Sequence, residues 1–339
     1  MRVRPIRRLG FEQEAFQRFN KWLLETLSAT SYVASMSEPW TGQGVRDGWA
    51  RATKALRGVL PERWLGDRPV VPVVRLTGVI GFSTPLRPGL SMAGIARTLD
   101  RVFAVRNAAA VALSINSPGG SPAQSHLIFR RIRELAQEKN RKVIAFVEDA
   151  AASGGYMIAC AADEIIADPN SIVGSIGVVG GSFGFDKLIA KIGIERRLYT
   201  SGEHKAMLDP FLPEDASDVE RLKKLQREIH DDFIALVKSR RGGKLAGDDG
   251  SLFSGEYWTG RRALELGLVD GVGELRSTLR ERFGDKVLTP LVSADRGLLG
   301  RRLFGVGGEQ LIRGLAPAGL ADDMISALEA RALWARYGL

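Results

Sequence analysis

With 339 residues, 45% hydrophobic and 26% charged, the chain can build one large or two modest domains around a real apolar core. Its formal net charge of +9 makes the surface basic. The excess is spread along the chain with no dense Lys/Arg block, so no nucleic-acid partner is expected. One cysteine, Cys160, excludes an internal disulfide and points to a reducing compartment.

Residues 1–68 are poorly patterned, with short amphipathic pieces between polar and Gly/Pro-containing links. They read as an appendage, helical or partly disordered. The Arg-rich start (Arg2, Arg4, Arg7, Arg8) runs into Glu12 and Glu14 without an apolar core, unlike a secretory signal. No run of about 18 apolar residues marks a transmembrane helix.

Patterning changes at Pro69. Val70–Leu76, continued by Gly78–Gly81, reads as a strand, Ser91–Val105 as a helix and Ala110–Asn116 as the next strand. A helix over Ser121–Glu138, a strand over Val143–Val147 and an Ala-rich helix after Ser153 follow. Alternation at this pace predicts βαβ units and a largely parallel sheet with flanking helices. Further strands are expected over Glu164–Ala167, Ile172–Val179 and Glu195–Thr200, and a long charged helix over Pro213–Ser239. Tyr257–Asp270 reads as a short helix closed by Gly267, then a strand. These elements predict a main domain over 69–285. Residues 286–339 form a C-terminal extension with an amphipathic stretch, Ala321–Tyr337, suited to docking, oligomer packing or contact with a membrane surface.

Chemistry concentrates at three places. Ala152-Ser153-Gly154-Gly155-Tyr156 sits where a buried strand turns into a buried helix. A serine there either caps the helix or presents its hydroxyl at a helix start, where partial positive charge favours a developing anion. Asn116-Ser117-Pro118-Gly119-Gly120-Ser121-Pro122 places a cap, a first-turn proline and two glycines before a helix. It is either an ordinary βα turn or a source of main-chain N–H donors aimed into a cleft. Ser201-Gly202-Glu203-His204-Lys205 carries a lysine and one of three histidines. Serine needs a neighbour to take its proton. No histidine lies just after the Ser153 helix, where Val178 and Val179 stand instead. Lys205 is either a solvated surface lysine or the remaining candidate base. As the base it would have to be neutral, which means lowering its pKa from about 10.4 to near 7, roughly 4 kcal/mol that burial can supply.

Taken together, Asn116–Gly120, Ala152–Tyr156, Gly174-Ser175-Ile176-Gly177-Val178 and Ser201–Lys205 resemble, in order and spacing, the signal peptide peptidase A family of serine–lysine peptidases. The resemblance covers roughly 69–285 and fits the short bacterial form with one catalytic domain per chain. It implies an α/β fold of the crotonase/Clp-protease type. It also implies Ser153 as nucleophile, Lys205 as general base, the N–H groups of Gly120 and Gly154 as oxyanion hole, and Ser175 as the residue orienting the lysine. No metal or cofactor is implied. The family assembles into rings or domes, and in the short forms serine and lysine of one site can come from neighbouring protomers. Family members often carry an N-terminal membrane anchor, and none is found in this sequence.

The expected activity is hydrolysis of hydrophobic or unstructured peptides, such as cleaved signal peptides, by a cytoplasmic homo-oligomer with peripheral contact at the inner membrane. Two alternatives stay open: a crotonase-fold acyl-CoA hydrolase or hydratase, and a ring-shaped scaffold that binds peptides without cutting them. Other signals are negative. Gly174-x-x-Gly177-x-x-Gly180-Gly181 lacks the Gly-Lys-Ser/Thr of a phosphate loop, and no Gly-x-Ser-x-Gly elbow occurs.

Overall fold

The computed structural model describes residues 68–81, 89–293 and 331–338. The appendage expected over 1–68 lies outside them except for Arg68, as do residues 294–330 of the expected extension.

Strand β1 (Val73–Thr77) leads to helix α1 (Met92–Phe103), whose Ile95, Leu99, Val102 and Phe103 form one buried stripe. Ser91 caps α1 by accepting from the Gly94 N–H at 3.3 Å. Strand β2 (Val111–Ser117) then feeds α2 (Pro122–Glu138), capped by Ser121 with Pro122 in its first turn, as the sequence predicts. Strand β3 (Val143–Ala152), the short helix α3 (Gly154–Ala159) and β4 (Glu164–Ala167) follow.

With β7 (Gly271–Val272), these strands lie in the order β1-β2-β3-β4-β7, every neighbour parallel. Side chains of β2 alternate between two cores. Val111, Leu113 and Ile115 enter the larger one with α1, α2 and α3. Ala110 and Ala112 enter the smaller one with Leu279 of α8 (Leu275–Phe283). The expected α/β class, with a largely parallel sheet and flanking helices, is the observed one.

The feature that positions the site is a change of partner along β3. Its first half, Ile144 to Val147, pairs with β4, and its second half, Ala150 to Ala152, pairs with β5 (Ile172–Gly174). The switch occurs at Glu148 and Asp149, both exposed, and the β2 register shifts opposite them. Strand β6 (Tyr257–Thr259) extends β5 antiparallel.

Three expectations need correction. Tyr257–Thr259 is a strand, because Trp258 packs across Gly174 on β5; only Gly260–Glu265 is helical, as α7. The strand expected over Ile172–Val179 stops at Gly174, where Gly174 and then Ser175 take positive φ (107° and 54°) and turn the chain. Residues 195–200 form no strand; they are exposed throughout and no strand of the described residues pairs with them.

Candidate active site

Ser153 occupies the turn between β3 and α3 with φ 51° and ψ −122°, a conformation that costs a non-glycine residue about 1–3 kcal/mol. The surroundings enforce it. The Ser153 N–H donates to the Gly174 carbonyl at 2.8 Å, closing the β3–β5 ladder one residue beyond the strand. The two following glycines let α3 pack closely: a Cβ on Gly154 would strike the Ser125 hydroxyl, and one on Gly155 would lie 2.6 Å from the Ser117 carbonyl oxygen. The Ser153 side chain caps nothing. Capping, the simpler reading of this serine, is therefore not what the residue does.

The Gly119–Gly120 turn lies against it. A Cβ on Gly119 would be 2.8 Å from the Ser153 Cβ and 3.0 Å from the Gly154 nitrogen. Around Gly120 a parallel bridge forms: the Ile80 N–H donates to the Gly119 carbonyl and the Ser121 N–H to the Ile80 carbonyl, each at 2.8 Å. Such a bridge uses the residues flanking Gly120, so the Gly120 N–H is turned away from Ile80. Gly119's own N–H is bound to the Ser117 hydroxyl. The Gly154 N–H opens α3 and has no intrahelical acceptor. Two donors with no acceptor among the described residues thus flank Ser153.

Ser175 is buried, and its N–H donates to the Glu256 carbonyl at 2.6 Å. Its hydroxyl lies 3.2 Å from that of Tyr337, which also reaches the Pro118 carbonyl at 3.4 Å. Tyr337 meets Tyr257 edge to face, with centroids 5.0 Å apart. A cavity of about 330 Å³ is lined by Ser153, Ser175, Val178, His230, Ser254 and Arg336, among others.

Lys205 is not among the lining residues of that cavity. It is exposed, in a turn closed by its N–H on the Gly202 carbonyl at 3.2 Å. An extended segment would put Glu203 and Lys205 on one face; the turn replaces it, and no Glu203–Lys205 ion pair forms. The chain leading there mixes charged residues with exposed apolar ones, among them Val179, Phe183 and Tyr199, which are 70%, 79% and 90% accessible.

Cys160, on α3, is buried, and desolvation pushes its thiol up to about 12. Burial likewise raises the Tyr156 hydroxyl, which donates to the Leu268 carbonyl at 2.7 Å. Both are core residues without a nucleophile's environment. Sequence reasoning missed His230 and Arg336 as cavity residues and Tyr337 as the partner of Ser175. For His230 a signal existed, since Lys223, Gln226, Arg227 and His230 recur at helical spacing. Tyr337 carries no local mark of its position.

The sequence model of peptidase family S49 matches residues 135–285, which include the Ser153 turn, Ser175 and Lys205. A protein of Brucella abortus named Na(+)/H(+) antiporter NhaA is 56% identical over 289 residues, 84% of this chain and 39% of that protein. The chloroplastic serine protease SPPA of Arabidopsis thaliana is 34% identical over 218 residues, 62% of this chain and 31% of the relative. The chain thus spans about two fifths of the Brucella relative and a third of the plant one. No helix among the described residues is long and apolar enough to cross a membrane. A protein of Synechocystis sp. named as a protease is 32% identical over 225 residues, 63% of this chain and 78% of its own length. A likeness covering most of a relative, together with a family match over the turn that strains Ser153, identifies the chain as a member of peptidase family S49, the family of signal peptide peptidase A.

Proposed function

We propose that the chain is a serine endopeptidase with a Ser153–Lys205 dyad that cleaves hydrophobic or unstructured peptides, cleaved signal peptides among them. The observation that carries this reading is the strained, uncapped Ser153 beside two N–H donors with no acceptor among the described residues.

Ser153 Oγ attacks the scissile carbonyl carbon while Lys205 Nζ takes the hydroxyl proton. The oxyanion is held by the Gly120 and Gly154 N–H groups, the latter aided by the positive end of α3. Collapse breaks the C–N bond, and Lys205 returns the proton to the leaving amine. Lys205 then deprotonates a water, which attacks the Ser153 ester; the C–Oγ bond breaks, Lys205 returns the proton to Ser153 Oγ, and the acid is released. Ser175 orients the lysine through its hydroxyl.

The exposed position of Lys205 favours a site shared between copies of the chain. The exposed apolar side chains of segment 179–199, which precedes the lysine, supply a surface for such packing. A neighbour covering it would desolvate Lys205 and bring it to the cavity of Ser153. Co-assembly of Ser153→Ala with Lys205→Ala chains tests this reading. Each variant alone is expected to be inactive, and the mixed assembly to regain activity, since some sites then combine an intact serine with an intact lysine. A mixed assembly as inactive as its parents contradicts a shared site, and activity of the Ser153→Ala chain alone contradicts the peptidase mechanism.

A further inference from the structure

We propose that the groove running from Ser153 along helix α5 (Ala216–Arg241) binds a carboxylate of the peptide substrate through Lys223 and Arg227, an assignment that rests on the peptidase reading above. Lys223, Gln226, Arg227 and His230 stand at i, i+3, i+4 and i+7 and so share one face of the helix. With Val178 they line a second cavity of about 200 Å³. It shares Val178 and His230 with the cavity of Ser153, so the two form one path.

The charges along this path have one sign. Arg336 stands at the Ser153 end and Lys223 and Arg227 at the other, and among the described residues no carboxylate lines either cavity. Glu220 lies three residues before Lys223 and Asp231 four after Arg227, yet neither forms an ion pair with them. The same helix does pair other arginines, Arg221 with Asp218 at 3.0 Å and Arg241 with Asp270 at 2.6 Å. Lys223 and Arg227 are left with donors to spare. Gln226 adds an amide close to the backbone of Gly180, where a Cβ would lie 2.9 Å from its Nε2. The wall is fixed by His230, whose Nε2 is 3.1 Å from the Ile176 carbonyl, one residue after Ser175.

Exposed cations gathered along an open groove attract an anion, and an arginine fork suits a carboxylate in particular. The path leads to the nucleophile and is a groove, so the fitting ligand is a peptide being cut. The carboxylate is either an internal Asp or Glu side chain or the terminal carboxylate of the peptide.

The test uses full-length Ser153→Ala protein and fluorescent peptides sharing one apolar sequence. They carry an internal Asp or its Asn counterpart, and a free or amidated C-terminus. Titration by anisotropy is expected to show one acid form binding about tenfold tighter than its neutral partner, a few-fold for each of two ion pairs. Which pair responds identifies the source of the carboxylate. The preference should shrink at high salt, vanish in Lys223→Ala/Arg227→Ala, and turn toward a Lys-bearing peptide in Lys223→Glu/Arg227→Glu. Equal affinities for acid and neutral forms, or a preference that survives the double alanine change, overturns the proposal. So does flotation with phosphatidylserine vesicles that depends on Lys223 and Arg227 while peptides show no charge preference; the patch would then be a lipid site. Fluorophosphonate labelling of the unaltered protein separates the two levels. Labelling of Ser153 without charge preference overturns this proposal alone, whereas absence of both labelling and peptide binding overturns the peptidase reading with it.

Discussion

The Tyr337 hydroxyl and the Ser175 hydroxyl are hydrogen-bonded at 3.2 Å, joining residues 162 positions apart in sequence. Tyr337 is buried, and its ring rests on Tyr257, whose own hydroxyl donates to the Arg336 carbonyl at 3.2 Å. Among the described residues, these contacts and that of the Tyr337 hydroxyl to the Pro118 carbonyl tie residues 331–338 to the sheet domain. Tyr337→Phe keeps the ring packing and removes one hydroxyl, a loss of about 1 kcal/mol. Amide exchange in residues 331–338 should quicken roughly fivefold, with exchange in β2 and β3 unchanged. Unchanged exchange in 331–338 would show that the ring contact alone anchors the segment.

Gly120 has φ 143°, and a Cβ there would run into the Ile80 carbonyl. Gly120→Ala must break the Ile80 bridge or shift the turn, at a cost of roughly 2–4 kcal/mol. Denaturant unfolding at neutral pH should show this loss, whereas Gly181→Ala, with open space around its Cα, should cost well under 1 kcal/mol. Equal costs at the two positions would contradict the tight Ile80–Gly120 contact.

A pH dependence follows from the cluster beneath α3. Burial alone would raise the Asp270 carboxyl, but Arg241 and Lys244, each at 2.6 Å, and the Ile165 N–H at 2.8 Å together hold it below the usual carboxylate range. The Arg282 guanidinium, at 2.5 Å, likewise lowers Glu164. A folded pKa below the unfolded value of about 4 means the stabilisation is fully present above pH 4–5. It is lost as the pH falls through the lowered values. Asp270→Asn leaves Arg241, only 3% accessible, with an uncompensated charge, and should cost about 3 kcal/mol at pH 7. The difference from the unaltered protein should narrow toward pH 3, and a difference independent of pH would contradict the ion-pair account.

Much of this fold was legible because its strands are continuous apolar runs and its helices carry capping signals. Ser121–Pro122 and the buried stripe of α1 are local facts that tertiary structure did not override. The full length of β3 was not legible, since Glu148-Asp149 interrupt its apolar run where it changes partner. Tyr257–Thr259 was misread because a three-residue strand lacks the length to show a period of two. The Ser153 turn, Gly119–Gly120 and Ser175 could be found because each lies inside a contiguous motif. His230 and Arg336 reach the cavity, and Tyr337 reaches Ser175, only through long-range packing. For Lys205 the motif gives the residue, while its surroundings in one chain do not complete a site.

If Lys205 is the base, a protonated amine there cannot accept the Ser153 proton. Activity should therefore climb with pH and be highest on the alkaline side of neutrality. Lys205→Arg should be as inactive as Lys205→Ala, because a guanidinium keeps its proton throughout. Near-normal turnover of Lys205→Arg, or a pH–rate profile flat from about pH 6 to 9, would move the role of base to another group. His204, beside Lys205 in sequence, would then be the first to replace.

The central claim is that Ser153 is a nucleophile, and the most direct measurement is covalent labelling of the full chain with a fluorophosphonate, followed by peptide mapping. The account predicts a single modified residue, Ser153, with labelling lost in Ser153→Ala and strongly slowed in Lys205→Ala. Both variants should keep the unaltered protein's unfolding free energy to within about 1 kcal/mol. Labelling at another serine, or an unlabelled Ser153 in protein that hydrolyses peptides, would contradict it.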